Sequence, residues 1–148
     1  EVNLDLLKHV DIIVPNENEY NDLMKSLGID KPKCDILDCP KITMKRICQE
    51  IGVPVLIITL GDRGSLLCSS DMYEIINAGK GINAIDTTGA GDAFVGGLGA
   101  GLLHFNGDIL KATTFASATA AISVTKKGTT SSMPRIDEVK KVLKTNKD

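Results

Sequence analysis

The segment best equipped for chemistry is Asp86-Thr87-Thr88-Gly89-Ala90-Gly91-Asp92, directly ahead of a small-residue run that reads as a helix. Glycines at 89 and 91 let the backbone turn tightly and present bare N–H groups. At a helix N-terminus the macrodipole adds to those donors, so the loop suits a phosphate or the charge developing on one. Asp92 is the odd member, because a carboxylate repels a bound anion. Its presence makes sense if it faces an attacking hydroxyl and accepts that proton during phosphoryl transfer. The plainer alternative is that Asp92 caps the helix while the glycines only turn the chain. The loop lacks the Lys of a Walker A motif, and Phe94 falls where G-x-G-x-x-G needs its third glycine.

Two further segments carry residues of interest. Pro15-Asn16-Glu17-Asn18-Glu19 follows an apolar run, and Ile58-Thr59-Leu60-Gly61-Asp62-Arg63-Gly64 ends another. Ligands in open α/β sheets sit beyond strand C-termini, so both places suit a site. Asn16 and Glu19 also have the spacing of a capping-box pair, and residues 61–64 that of an ordinary turn.

The elements that must position these residues follow from periodicity. His9 to Val14 ends in a compact apolar run stopped by Pro15, and Val53 to Leu60 is rich in β-branched residues. Both predict strands buried on two faces. Ser65 to Ser70, Tyr73 to Ile76 and Ile82 to Ile85 predict further short strands. Glu17 to Leu27, Pro40 to Ile51, Ala93 to His104, Asp108 to about Thr125 and Arg135 to Lys144 predict helices. Gly96, Gly97, Gly99 and Gly101 in one helix imply close backbone packing, because each interior glycine costs about 1 kcal/mol relative to alanine. Strands alternating with helices predict a layered α/β fold with a mostly parallel central sheet flanked by helices.

Composition narrows the function classes. The formal net charge is −2, hydrophobic residues are 43% and aromatics 3%, with no Trp. That argues against a nucleic-acid partner, which needs a basic face or aromatic stacking. No apolar run approaches the roughly 20 residues of a membrane span. Cys34, Cys39, Cys48 and Cys68 show no zinc spacing and read as reduced thiols of a cytoplasmic protein.

The motif 86–94, with the segments at 15–19 and 58–64 in the same order, resembles the ribokinase-like (PfkB) carbohydrate kinase family. Residues 121–128 with Ser132 and Pro134 resemble its ribose-phosphorylating members most. The resemblance covers nearly the whole chain but corresponds to the C-terminal, ATP-binding half of the family's domain. It therefore implies a partial domain, 1–148, without the N-terminal half, the β lid and most sugar-binding residues. It implies ATP-dependent phosphorylation of a sugar primary hydroxyl, D-ribose foremost. A fructokinase-like or adenosine-kinase-like activity is the alternative, as is a non-catalytic nucleotide-binding fragment when these residues stand alone.

By the same resemblance, Asp92 is the catalytic base and contacts the sugar, and Gly89, Ala90 and Gly91 form the anion hole. ATP falls to Asn16, Thr59, Leu60, Gly61, Asp62, Arg63, Gly64, Gly91, Asp92 and Ser117. Mg²⁺ falls to Glu19 through water. A K⁺ site falls to Asp86, Thr88, Ser123, Lys126, Gly128 and Ser132, with Lys126 and Gly128 offering only carbonyls. The alternative is that Asp86 and the 126–132 loop bond each other directly. The resemblance allows a homodimer of the full-length protein, and a cytoplasmic location, or a nuclear one in a eukaryote.

Overall fold

The computed structural model describes residues 4–78 and 82–145. Its elements are α1 (Leu4–Leu7), β1 (Ile12–Ile13), α2 (Glu17–Leu27), α3 (Lys41–Ile51), β2 (Val55–Thr59), β3 (Ser65–Ser69), β4 (Tyr73–Ile76), α4 (Ala90–His104), α5 (Ile109–Ser123) and α6 (Ile136–Thr145). Short 3-10 turns occupy Gly61–Arg63 and Thr130–Ser132. No described helix is long and apolar enough to cross a membrane.

The described residues form two compact units. One holds those up to Gly61 together with Ser65–Ile75, and the other holds Asp62–Gly64 together with those from Ile76 onward.

In the first unit the sheet order is β1-β2-β3-β4. β1 pairs parallel with β2, Ile12 opposite Val55, because the connection passes through α2 and α3. β3 turns back antiparallel on β2, from Val55 opposite Ser69 to Thr59 opposite Ser65. Only residues 60–64 join them, too short for a crossover. The layered α/β expectation therefore holds, while the sheet within this chain is mixed, with one parallel pair. β1 is shorter than its apolar run because Pro15 offers no N–H, although Pro15 O accepts from Thr59 N and an isolated bridge resumes at Asn16. Tyr20, Met24, Met44, Ile47, Leu56, Ile58 and Leu66 are fully buried in one cluster between helices and sheet.

In the second unit α4 and α5 form a close hairpin. A Cβ on Gly97 would stand 2.7 Å from Thr119 Oγ1 and 3.0 Å from Ala116 Cα, and one on Gly101 would stand 2.9 Å from Ala112 Cα. Gly96 and Gly99 face open space. The close-packing expectation thus holds for the pair four residues apart and not for the other two. Gly97→Ala is expected to destabilise the protein by about 1–3 kcal/mol through overpacking. Gly99→Ala is expected to stabilise it by up to about 1 kcal/mol through helix propensity. Paired urea titrations read both. Asp108 caps α5 by accepting from Lys111 N at 3.0 Å, and Val139 of α6 packs with Phe115 and Ala118.

The strand expected at Ile82–Ile85 does not form. Ile85 is 66% exposed. The N–H groups of Ile85 and Asp86 both donate to Val124 O, at 2.7 and 3.1 Å, so they meet the end of α5 instead of a strand.

Candidate functional site

The loop ahead of α4 is built on one backbone requirement. Gly89, the N-cap, has φ 79°, a left-handed conformation that disfavours any side chain, and a Cβ there would also approach Thr129 Cγ2 at 3.3 Å. Ala90, Gly91 and Asp92 make the first turn. Helix bonding begins with Ala93 N donating to Gly89 O at 2.9 Å. Ala90 N–H is already directed at Thr87 O, 3.2 Å away, so it is not an open donor for an anion. The N–H groups of Gly91 and Asp92 come before the first intrahelical bond and have no acceptor among the described residues. Of the expected trio Gly89, Ala90 and Gly91, only the Ala90 N–H is thus engaged; the N–H groups of Gly89 and Gly91, with that of Asp92, have no acceptor among the described residues. Gly91 borders open space. The Asp92 carboxylate is exposed and, among the described residues, accepts no hydrogen bond. It does not serve as the helix cap.

Asp86 fixes the loop from below. Its Oδ1 accepts from Thr88 N and its Oδ2 from Gly128 N, each at 3.0 Å. The direct bond between Asp86 and the 126–132 loop is thus present. Ser123 Oγ donates to Ala120 O at 2.8 Å, and Ser132 Oγ to Thr129 O at 2.6 Å. Both hydroxyls spend their proton on carbonyls and keep lone pairs. Lys126 Nζ pairs with Glu138 Oε1 at 3.0 Å, and the ammonium has no acceptor, so Lys126 can offer a cation only its carbonyl.

Those N–H donors, Gly128 foremost and then Thr88, hold the Asp86 carboxyl down at about 2. Because the folded value lies below the ordinary one, Asp86 contributes stability above the usual carboxylate range, and that contribution is lost as pH falls. The melting temperature is expected to drop between about pH 4 and pH 2, and Asp86→Asn to flatten part of that slope. Asp108 and Glu138, held low mainly by Lys111 and by the Arg135 N–H, supply the remainder.

In the first unit, Asn16 and Glu19 form the capping box. Asn16 Oδ1 accepts from Asn18 N and Glu19 N at 2.9 and 3.0 Å, and Glu19 Oε2 accepts from Asn16 N at 2.8 Å. The capping alternative is therefore real, and both side chains remain exposed. Thr59 closes β2, with its N–H donating to Pro15 O at 3.0 Å, and Leu60 and Gly61 follow. In the second unit, Asp62 and Arg63 belong to the 3-10 turn, and Gly64 is buried with φ 96°. Ser117 is half-buried on α5. Among the described residues no three His, Cys, Asp or Glu side chains gather as a metal centre. Sequence reasoning missed the supporting carbonyls of Thr87 and Val124, because main-chain acceptors leave no residue-type signal.

The family description "pfkB family carbohydrate kinase" matches residues 1–136. The chain belongs to the pfkB family of carbohydrate kinases. Among pfkB relatives, ribokinase of Haemophilus influenzae is 36% identical over 139 residues, covering 94% of this chain and 42% of its own length. The solved ribokinase of Thermotoga maritima superposes with TM-score 0.80 at 32% identity, covering 97% of this chain and 45% of that one. Ribokinase of Arabidopsis thaliana, solved with ribose and ATP, superposes with TM-score 0.74 at 29% identity, covering 96% and 43%. The chain thus spans less than half the length of the pfkB kinases it matches. Fructokinases and nucleoside kinases also appear among its relatives.

Proposed function

We propose that this chain supplies the phosphoryl-transfer end of an ATP-dependent sugar kinase, with D-ribose as the acceptor and its primary hydroxyl as the nucleophile. The observation that carries the reading is Asp92, an unpaired exposed carboxylate on the same helical turn as the open N–H groups of Gly91 and Asp92. Proton acceptance and anion binding are thereby offered on adjacent atoms. Asp92 takes the hydroxyl proton as the oxygen attacks. The two N–H groups stabilise the charge on the transferred group without reorganising. Ribose is preferred as acceptor because several of the relatives are ribokinases and because residues 121–128 follow that pattern.

The reading assigns the nucleotide to Asn16, Thr59 to Gly64, Gly91, Asp92 and Ser117. Glu19 keeps Oε1 outside the capping box, so its carboxylate suits a Mg²⁺ ion held through water. When bound, Mg²⁺ supplies neutralising charge beside the ATP phosphates. Asp86, Thr88, Ser123, Lys126, Gly128 and Ser132 offer an all-oxygen set suited to K⁺, and Asp86 already orders that loop without it. K⁺ acts there by holding the loop, not by entering the chemistry.

Glu19→Gln separates capping from metal binding. Gln preserves the capping box, so the melting temperature is expected to hold, while the Mg²⁺ concentration for half-maximal rate rises about tenfold. An unchanged Mg²⁺ requirement would leave Glu19 a capping residue only. Acceptor identity is tested by ADP release from the natural gene product in K⁺ buffer with D-ribose, D-fructose or adenosine. Ribose is expected to give the highest kcat/KM. A higher value for fructose or adenosine would reassign the acceptor and keep the transfer chemistry.

A further inference from the structure

We propose that Glu138, on the first turn of α6, is a positioning residue for the K⁺ loop: it fixes Lys126 from outside the loop and so sets how tightly the loop holds the cation. The inference rests on the K⁺ reading of that loop. A carbonyl is aimed by restraining the residue that carries it, and Lys126 is restrained twice. Its N–H donates to Ser123 O at 3.2 Å, and its ammonium donates to Glu138 Oε1 at 3.0 Å. The residues that follow have anchors of their own. Lys127 O accepts from Ser131 Oγ at 3.2 Å, Gly128 N donates to Asp86 Oδ2 at 3.0 Å, and Thr129 O accepts from Ser132 N and Ser132 Oγ at 3.1 and 2.6 Å. Of these anchors only Asp86 and Glu138 lie outside residues 123–132, so these two carboxylates hold the loop in place from either side.

An exposed ion pair usually contributes little, because two long side chains must be ordered to make it. Here one of the two is ordered already. Glu138 Oε2 accepts from Arg135 N at 2.7 Å, the reach-back bond of a capping box, so the carboxylate is fixed to the backbone at the start of α6. The next residue, Val139, is 1% exposed and packs with Phe115 and Ala118 of α5, which seats α6 on the helix that leads into the loop. Lys126 is thus tied to α5 by two routes, along the chain through Ser123 and across α6 through Glu138. The competing role for Glu138 is capping of α6 alone, and the two roles differ in whether K⁺ binding depends on its charge.

The test is a K⁺ titration of the natural gene product without substrates, read as melting temperature, with choline chloride holding the ionic strength constant. Wild type is compared with Glu138→Gln, Lys126→Met and the double variant. Gln keeps an oxygen for Arg135 N and loses the charge that holds Lys126. The K⁺ concentration at half the thermal rise is expected to increase about two- to fivefold in either single variant, the range one exposed ion pair supports. The double variant is expected to match the singles, because each removes the same interaction. In ribose-dependent turnover, Glu138→Gln is expected to need the same extra K⁺ and to reach the wild-type rate once K⁺ saturates. An unchanged half-point in Glu138→Gln, with the melting temperature lowered equally at every K⁺ concentration, would overturn the proposal and leave Glu138 a cap of α6. Additive shifts in the double variant would overturn it too. Lys126→Met decides alone if Glu138→Gln does not fold. A wild type with no thermal response to K⁺ would overturn the K⁺ reading itself, and this proposal with it.

Discussion

Replacing Asp92 by Asn is expected to lower ribose-dependent kcat by about 10²–10⁴-fold, the usual contribution of a positioned general base. Asn matches the carboxylate in size and leaves the first turn of α4, with the open N–H groups of Gly91 and residue 92, where it is. What disappears is the oxygen proposed to take the hydroxyl proton. KM for ATP is expected not to rise, because removing a negative charge from an anion-binding turn does not weaken phosphate binding. Steady-state kinetics on variant and wild type separate the two parameters, and isothermal calorimetry confirms retained ATP affinity. A rate within about threefold of wild type would remove Asp92 from the base role, since that is far below what a general base contributes.

The largest stability effect is expected at Gly64. Its φ of 96° lies where an L-residue is strained, and a Cβ there would stand 2.1 Å from Ile76 O, 2.7 Å from Ala78 N and 2.9 Å from Asn77 C. All three are backbone atoms, so no flexible side chain can swing aside. Gly64→Ala combines left-handed strain of about 1–2 kcal/mol with overpacking of about 1–3 kcal/mol. A total of about 3 kcal/mol or more would shift the urea midpoint by at least about 1 M. Gly61 is the comparison: its φ is 62°, but a Cβ there meets nothing within 4 Å. Gly61→Ala is expected to show the conformational cost alone, about 1–2 kcal/mol. Equal losses at the two positions would contradict the close approach at Gly64.

Much of the fold was legible because hydrophobic period and stop signals agree. α2 starts after a side-chain cap at Asn16 and ends before Gly28, and β2 is a run rich in β-branched residues whose centre is fully buried. Ile82 to Ile85 misled because Ile85 covers no core; its N–H, with that of Asp86, is captured by Val124 O instead. The antiparallel return of β3 is set by the length of the 60–64 connection, which sequence pattern does not weigh against the parallel prior. Among the glycines of α4, composition announced close packing, but only the three-dimensional register of α5 singles out Gly97 and Gly101.

The candidate site was legible at the level of residue types. Gly89 and Gly91 do frame a helix N-terminus, and Asp92 does stand free of capping. The loss of Ala90 from the open donors depends on a single hydrogen bond to Thr87 O, which no sequence pattern encodes. Asn16 with Glu19 shows the converse. The capping geometry that sequence spacing offered as an alternative is fully formed, and it leaves one carboxylate oxygen available for a second purpose.

The most direct test of the central claim follows the γ-phosphoryl group itself. The natural gene product would be incubated with ATP, Mg²⁺, K⁺ and D-ribose, and the products read by ³¹P NMR beside an Asp92→Asn control. The account predicts a phosphate monoester on the ribose primary hydroxyl, formed in step with ADP, with the control silent on the same timescale. ATP binding with no phosphorylated sugar from ribose, fructose or a nucleoside would contradict it.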